Sequence, residues 1–200
     1  MTIVYAVGQS LYLNITNRCS NRCWFCVRNK KDGLVDGSNL WLKQEPTVEQ
    51  VLKSVSAATV KRYSEFVFCG YGEPMMRAYD VIELSRELKR RYFLPVRINT
   101  NGQANLICGC DITPLMAEVI DAVSISLNAK NAGEYQRQCA SEYGEAAFAA
   151  LLDFAKRCTR YVPSVTFSVV DIMEQGDIEV CREIARQTGV GFKIRHYVGS

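Results

Sequence analysis

Segments of alternating apolar and polar residues, each followed by a stretch with helical spacing, recur along this 200-residue chain, and that recurrence narrows its possible folds more than any single motif. Strands are expected at Leu11 to Thr16, Glu65 to Cys69, Val96 to Thr100, Ala122 to Leu127, Ser164 to Val170 and Val190 to Tyr197. Between them the spacing predicts helices from a Thr47 cap to about Arg62, over Tyr79 to Tyr92, Thr113 to Ile120, roughly Tyr143 to Arg160, and Asp177 to Gln187 ahead of Gly189. Strands separated by helical crossovers pair in parallel, and right-handed connections curl them into a barrel wall. A closed eight-unit barrel takes about 250 residues, so this chain has room for six units. The expected architecture is α/β, a partial (β/α)6 TIM-like barrel with parallel strands, in one domain over 1–200.

The strands also share a parity. Asn14 and Thr16; Arg97, Asn99 and Asn101; Ser124, Ser126 and Asn128; Thr166 and Ser168; and Lys193, Arg195 and Tyr197 fall on one face, while the opposite face is apolar. If the apolar face packs against the helices, the polar one lines a cavity, because polar groups buried without partners are costly. The alternative is an open sheet with one wet face, although parallel sheets are usually covered on both. Ligands in such folds sit at the carboxyl ends of the strands, so the residues there are the candidate site.

At the first of those ends, Thr16-Asn-Arg-Cys-Ser-Asn-Arg-Cys-Trp-Phe-Cys26 places Cys19, Cys23 and Cys26 within eight residues. Three thiolates can hold three irons of a 4Fe-4S cube and leave the fourth iron for a ligand that is not protein. A structural zinc site would need a fourth Cys or His, and the one histidine, His196, lies far downstream. The spacing would also put the three on one helix face as small buried residues, but Asn17, Ser20 and Asn21 make the segment turn-prone. Arg18, Arg22, Arg28, Lys30 and Lys31 crowd the loop, where they either offset the charge of a cluster or form a solvated basic face. The long stretch from Asn29 to Pro46, with turns at Asp32-Gly33 and Asp36-Gly37 and with Trp41, is placed to cover the site. The second strand ends in Gly70-Tyr71-Gly72-Glu73-Pro74, where the glycines would let backbone approach a ligand and Glu73 adds a carboxylate or its carbonyl. The third ends in Asn99-Thr-Asn101-Gly102 and the fourth in Ser124-Ile-Ser126-Leu-Asn128, both rich in groups that donate and accept.

The C-x3-C-x2-C order, with aromatic Phe25 just before the last cysteine, resembles the signature of the radical S-adenosylmethionine (SAM) enzymes, and the resemblance spans nearly the whole chain. It implies a 4Fe-4S cluster on Cys19, Cys23 and Cys26 whose open iron takes the amino and carboxylate groups of SAM. Reductive cleavage would give methionine and a 5'-deoxyadenosyl radical that abstracts hydrogen from a substrate. Phe25 belongs to that cofactor region by its place in the signature. Gly70, Tyr71, Gly72 and Glu73 are similar to the family's Gly-Gly-Glu motif at the methionyl amino group, and Ser126 and Asn128 stand where the family contacts SAM ribose and carboxylate. Asn99 and Asn101 face cofactor or substrate, or else stabilise the turn before Gly102. The fifth strand carries Val169-Val-Asp171 instead of the family's glycine-rich pattern and leaves the adenine contact undefined; His196 lies near it or is simply satisfied structure. Met1-Thr-Ile-Val-Tyr5, Leu11-Tyr-Leu-Asn-Ile-Thr-Asn17 and Asn39-Leu-Trp-Leu42 most resemble the small radical SAM proteins associated with TatD-type nucleases.

Composition sets the remaining bounds. No apolar run reaches the roughly 18 residues of a membrane span and no signal peptide is evident, so a cytoplasmic protein with no membrane partner is expected. A net charge of +3 gives no case for nucleic acid. Nine cysteines in such a chain point to metal or catalysis instead of a disulfide framework. Of these, Cys158 and Cys181 read as core residues, while Cys108, Cys110 and Cys139 fall on the cluster end, where they could hold a second cluster or metal. The implied partners are an unknown substrate, a small molecule being favoured, and an external electron donor such as flavodoxin or ferredoxin. Three other readings stay open: a small-molecule enzyme resembling the deazaguanine synthases, a glycyl-radical activase with a large protein partner, and an iron-sulfur electron carrier or sensor without catalysis.

Overall fold

The computed structural model describes residues 2–29, 34–35 and 37–197. β1 (Val4–Val7) lies antiparallel on β2 (Ser10–Leu13), with Val4 opposite Leu13. The short strands β3 (Leu34–Val35) and β4 (Ser38–Asn39) form a separate hairpin. β2 then pairs in parallel with β5 (Glu65–Phe68), followed in order by β6 (Val96–Thr100), β7 (Ala122–Ser126), β8 (Ser164–Val170) and β9 (Gly191–Arg195). Six strands are therefore parallel, as the strand–helix alternation requires, and β1 and β9 are the edges of an open barrel wall.

The helices are α1 (Val48–Ala57), α2 (Ala78–Tyr92), α3 (Ala104–Cys108), α4 (Ala132–Cys139), α5 (Ala146–Cys158) and α6 (Gln175–Thr188). Thr47 caps α1 as its sequence suggests, with Gln50 completing the reciprocal pair of bonds. That helix stops at Ala57, short of Arg62, and only a 3-10 turn covers Val60–Arg62. The helix expected over 113–120 is likewise a single 3-10 turn, Thr113–Met116, and Glu118 at φ 64° ends any continuation. β1, α3 and α4 were not expected. Of the turns expected in the long loop, Asp32-Gly33 and Asp36 lie outside the described residues, and Gly37 adopts φ +76°. Among the described residues, no helix is long and apolar enough to cross a membrane.

One face of the wall carries the core. Phe66, Phe68, Ile98, Ile125, Phe167 and Val169 are fully buried beneath Val81, Leu84 and Leu88 of α2 and Leu151, Phe154 and Ala155 of α5. Each such large side chain contributes about 1.5–3 kcal/mol by leaving water. The register sets Tyr12, Val67 and Arg97 in one row across the other face, Asn99, Ser124 and Thr166 in the next, and Ser126, Ser168 and Lys193 in a third. At the amino ends of the strands this face is closed by Glu65, which accepts from Ser10 Oγ at 2.6 Å and from Arg97 Nη2 at 2.6 Å. The Arg97 guanidinium holds the Glu65 carboxyl below its ordinary range.

Asn14 and Thr16 depart from the expected parity, because β2 ends at Leu13. Asn14 Nδ2 donates to the carbonyls of Thr2 (3.0 Å) and Leu40 (2.7 Å), and the Thr16 hydroxyl bonds Glu45. Asn17 holds Leu42 through both its carbonyl and its amide nitrogen. These residues anchor the segment after β4 and do not line the cavity.

Candidate functional site

At the carboxyl ends of the parallel strands lies a cavity of about 440 Å³. Its walls bring together Cys19, Cys23, Phe25 and Cys26 from the loop after β2, Gly70, Tyr71, Gly72 and Glu73 after β5, and Asn99 and Asn101 from β6. Ser126 and Asn128 of the β7 end and His196 after β9 complete the set, so the residues expected at the cluster and SAM all border one space, whereas Asn14, Thr16, Ser124, Cys108, Cys110 and Cys139 do not.

The cysteine loop is shaped by a buried polar network. Ser20 Oγ donates to Gln103 Oε1 (2.8 Å), Gln103 Nε2 donates to Asn21 Oδ1 and Tyr135 Oη (both 2.9 Å), and Ser141 Oγ also reaches Gln103 Oε1 (3.0 Å). Asn101 donates through Nδ2 to Ser20 Oγ at 2.8 Å and accepts from its neighbour Gln103 N, so its side chain is a strut for this network. Gln103, Tyr135 and Ser141 were missed from sequence because Gln103 and Tyr135 meet the loop only across 82 to 114 residues of chain and the Ser141 side chain joins the network through Gln103. Burial pushes the Cys19 thiol up to about 12 and also raises Cys26, whereas a hydrogen bond with Cys139 holds Cys23 below its ordinary value. Among the described residues no three His, Cys, Asp or Glu side chains converge on a single-ion site. A cube takes each thiolate at a different iron, so its ligands need not converge. A donor set of three thiols, with no imidazole among them, suits an iron-sulfur cluster.

The glycine turn works differently from expectation. A Cβ on Gly72 would lie 2.3 Å from the Thr16 carbonyl oxygen and 2.6 Å from that of Arg18, and one on Gly70 would lie 2.1 Å from Asn14 Oδ1. The glycines thus let this turn press against the start of the cysteine loop, where Glu73 N donates to Arg18 O at 2.8 Å. Nor is the Glu73 carboxylate free to grip a ligand. It accepts from Met75 N (3.0 Å), Thr100 Oγ1 (2.7 Å) and Asn101 N (2.6 Å), which fasten the turn to β6. Burial still pushes its carboxyl up to about 7 against those three donors.

The opposite wall is looser. Arg195, the last residue of β9, reaches Ser126 Oγ at 3.3 Å and Asn128 Oδ1 at 3.4 Å, and its Nε is buried without a partner. Desolvation lowers its pKa. Its inward parity marked it as cavity-lining, but nothing in the sequence marked it as unpaired. His196 turns outward: its ring pairs with Asp171 Oδ2 at 2.7 Å, and its side chain is 96% exposed. Asp171 also accepts from Tyr197 N, so the pair clasps the ends of β8 and β9 at the rim.

Two further features line the cavity, and in them Tyr5, Tyr12, Trp41 and Cys69 join the expected Tyr71. Tyr5 of β1 and Tyr12 of β2, with ring centroids 5.2 Å apart, and Tyr71, which meets Trp41 edge-on at 5.1 Å, form an aromatic wall on the β1 side. Cys69, the residue before the glycine turn, also lines the cavity. Cys108 instead borders a second, open hollow of about 740 Å³ beside the paired Arg18–Glu45 and Arg77–Asp80, and Cys110 lies 3.8 Å from Tyr79 Oη. Cys139 borders neither this hollow nor the cavity.

Residues 13–181 match the profile of the radical SAM superfamily. The chain belongs to that superfamily. Its members use a 4Fe-4S cluster and SAM, the cofactors that the thiol loop suits. The chain is 26% identical over 182 residues to a probable GTP 3',8-cyclase of Thermococcus kodakarensis, covering 90% of this chain and 54% of that protein. It is 30% identical over 126 residues to the GTP 3',8-cyclase of Lactiplantibacillus plantarum, covering 62% and 35%. It therefore spans about half or less of these curated relatives. Among solved structures, Streptococcus suis SuiB bound to its precursor peptide SuiA aligns with TM-score 0.69 at 14% identity, over 97% of this chain and 40% of that one. A radical SAM methyltransferase from Sphaerobacter thermophilus aligns with TM-score 0.64 at 17% identity, over 98% and 69%. Both likenesses concern the partial barrel.

Proposed function

We propose that this radical SAM protein is an enzyme that cleaves SAM reductively, so that a 5'-deoxyadenosyl radical takes hydrogen from a small anionic substrate. The observation that carries the reading is the convergence of Cys19, Cys23 and Cys26, the 70–73 turn and the β7 end on one cavity. Cys19, Cys23 and Cys26 would hold the cluster. The turn carbonyls, together with Ser126 and Asn128, offer acceptors and a hydroxyl for the amino and ribose groups of SAM. The aromatic wall keeps water from the β1 side. Arg195 supplies the anion preference, because a buried guanidinium with an unpaired Nε is completed by a carboxylate or phosphate. The names of the two curated relatives are in keeping with a phosphorylated substrate. The electron would come from an external donor of the flavodoxin or ferredoxin class, in the cytoplasm, where thiols stay reduced.

Anaerobic reconstitution followed by dithionite and SAM tests the first half. About four irons per chain and release of 5'-deoxyadenosine are expected, and Cys23→Ala abolishes both. A loaded cluster without 5'-deoxyadenosine would leave the electron-carrier reading instead. For the second half, phosphate esters and acids, GTP first, are screened for a rise in 5'-deoxyadenosine. That rise should disappear in Arg195→Met while the substrate-free reaction persists; a glycyl-radical activase would respond only to a protein partner.

A further inference from the structure

Beside the polar rows of the cavity face lies an apolar patch that is separate from the main core. Tyr5, Leu40 and Tyr71 are buried in it, and Val7, Tyr12 and Val27 pack on them half-buried. All six border the cavity. Tyr5 and Tyr12 are directly opposite each other in the β1–β2 pair, which sets their rings 5.2 Å apart at 41°. The Tyr5 hydroxyl donates to the Cys69 carbonyl at 3.2 Å, so the buried ring that supports Tyr12 is tied to the end of β5. Trp41 braces Tyr71 edge-on at 5.1 Å. Tyr12 is thereby the open ring of a rigid aromatic platform.

SAM held between the 70–73 turn after β5 and the β7 end extends away from β1 and leaves this flank uncovered. Apolar surface facing a cavity is unfavourable in water. A flat ring covers such a platform best, because stacked and edge-on ring pairs gain free energy beyond the area they bury, whereas a puckered aliphatic ring gains the area alone. On the β9 side stands Arg195 with its buried, unpaired Nε. We propose that Tyr12 sets the class of substrate: a flat conjugated ring lies on the Tyr12 platform while an acid group of the same molecule completes Arg195. This deepens the proposed function and rests on Arg195 being its anion site. Tyr12 is a specificity-determining residue, selecting the ring without taking part in hydrogen transfer.

The test uses two probes matched in size, phenyl phosphate and cyclohexyl phosphate, titrated calorimetrically into the reconstituted protein holding SAM. Phenyl phosphate should bind about two- to tenfold more tightly, although the cyclohexyl group is the more apolar. That preference should vanish in Tyr12→Leu and persist in Tyr12→Phe, with SAM affinity the same in all three proteins. Equal affinities of the two phosphates for the wild type would overturn the proposal, as would an undiminished preference in Tyr12→Leu. A loss of SAM affinity in Tyr12→Leu that Tyr12→Phe restores would also overturn it, because the platform would then hold adenine. If Tyr12→Leu does not fold, a crystal structure of the wild type with phenyl phosphate decides: a ring against Tyr12 supports the proposal, and a ring elsewhere refutes it. Failure of both phosphates to bind, or undiminished binding of both in Arg195→Met, would refute the anion site itself and the ring assignment with it.

Discussion

The two sides of the cavity are built on opposite principles. On the cysteine side, Ser20, Asn21, Asn101, Gln103, Tyr135 and Ser141 exchange side-chain hydrogen bonds of 2.8 to 3.0 Å. On the β9 side, Arg195 makes two bonds of 3.3 and 3.4 Å and leaves Nε unpaired. A fully satisfied network holds its members in one arrangement, as a rigid cofactor demands, whereas an incomplete one reserves its polar capacity for a ligand. The first side is thus specified by the protein alone, and the second is finished by what binds.

The strongest way to break that contrast is Gly72→Ala. Overpacking against movable side chains costs about 1–3 kcal/mol, and here the obstructing atoms are backbone carbonyls, so a loss beyond about 3 kcal/mol is expected together with loss of iron. Gly176→Ala in α6, where a Cβ meets nothing within 4 Å, should be neutral or mildly stabilising by thermal denaturation. Next comes Glu73. Its carboxyl is raised to about 7 when folded, so the folded chain keeps a proton that the unfolded chain releases. Its contribution is therefore fully present below its ordinary pKa and declines as pH rises to about 7. Denaturant titrations of the apo chain at acid and mildly alkaline pH should show the wild type losing about 3 kcal/mol more than Glu73→Gln over that window.

Tyr135→Phe sharpens the contrast further. It strips an acceptor from Asn21 Nδ2 and Gln103 Nε2, which costs about 1–3 kcal/mol and should make iron loading less complete. The smallest effect belongs to the looser side. Arg195→Met removes a desolvated, partly unpaired guanidinium, so apo stability should change by less than about 1 kcal/mol or rise. A large loss there would show that the β9 side is as self-sufficient as the cysteine side.

Much of the scaffold was legible because strand parity and crossover logic are local patterns. Ser164–Val170 was delimited to the residue, and all six parallel strands were found. β1 escaped because four residues before a tight turn carry too little periodicity. α4 is polar and short, yet Asn131 accepting from Glu134 N at 2.9 Å is a cap that the sequence displays. The candidate site residues could be named because each lies in the cysteine signature or at or just after the end of a strand. The jobs of Glu73, Gly70 and Gly72 could not, since they depend on contacts with Thr100, Asn14 and Thr16 that no spacing reveals.

The docking of α4 against the cysteine loop has a genetic consequence. Arg22 and Trp24 give their amide hydrogens to the end of a helix more than a hundred residues away in the chain, while Asn21 is tied to Tyr135 within that helix. In a random mutant library scored for colour, pale clones should therefore map to residues 131–141 as well as to the three cysteines. Such a second hotspot would be read as an additional metal ligand, when its residues only hold the loop in shape.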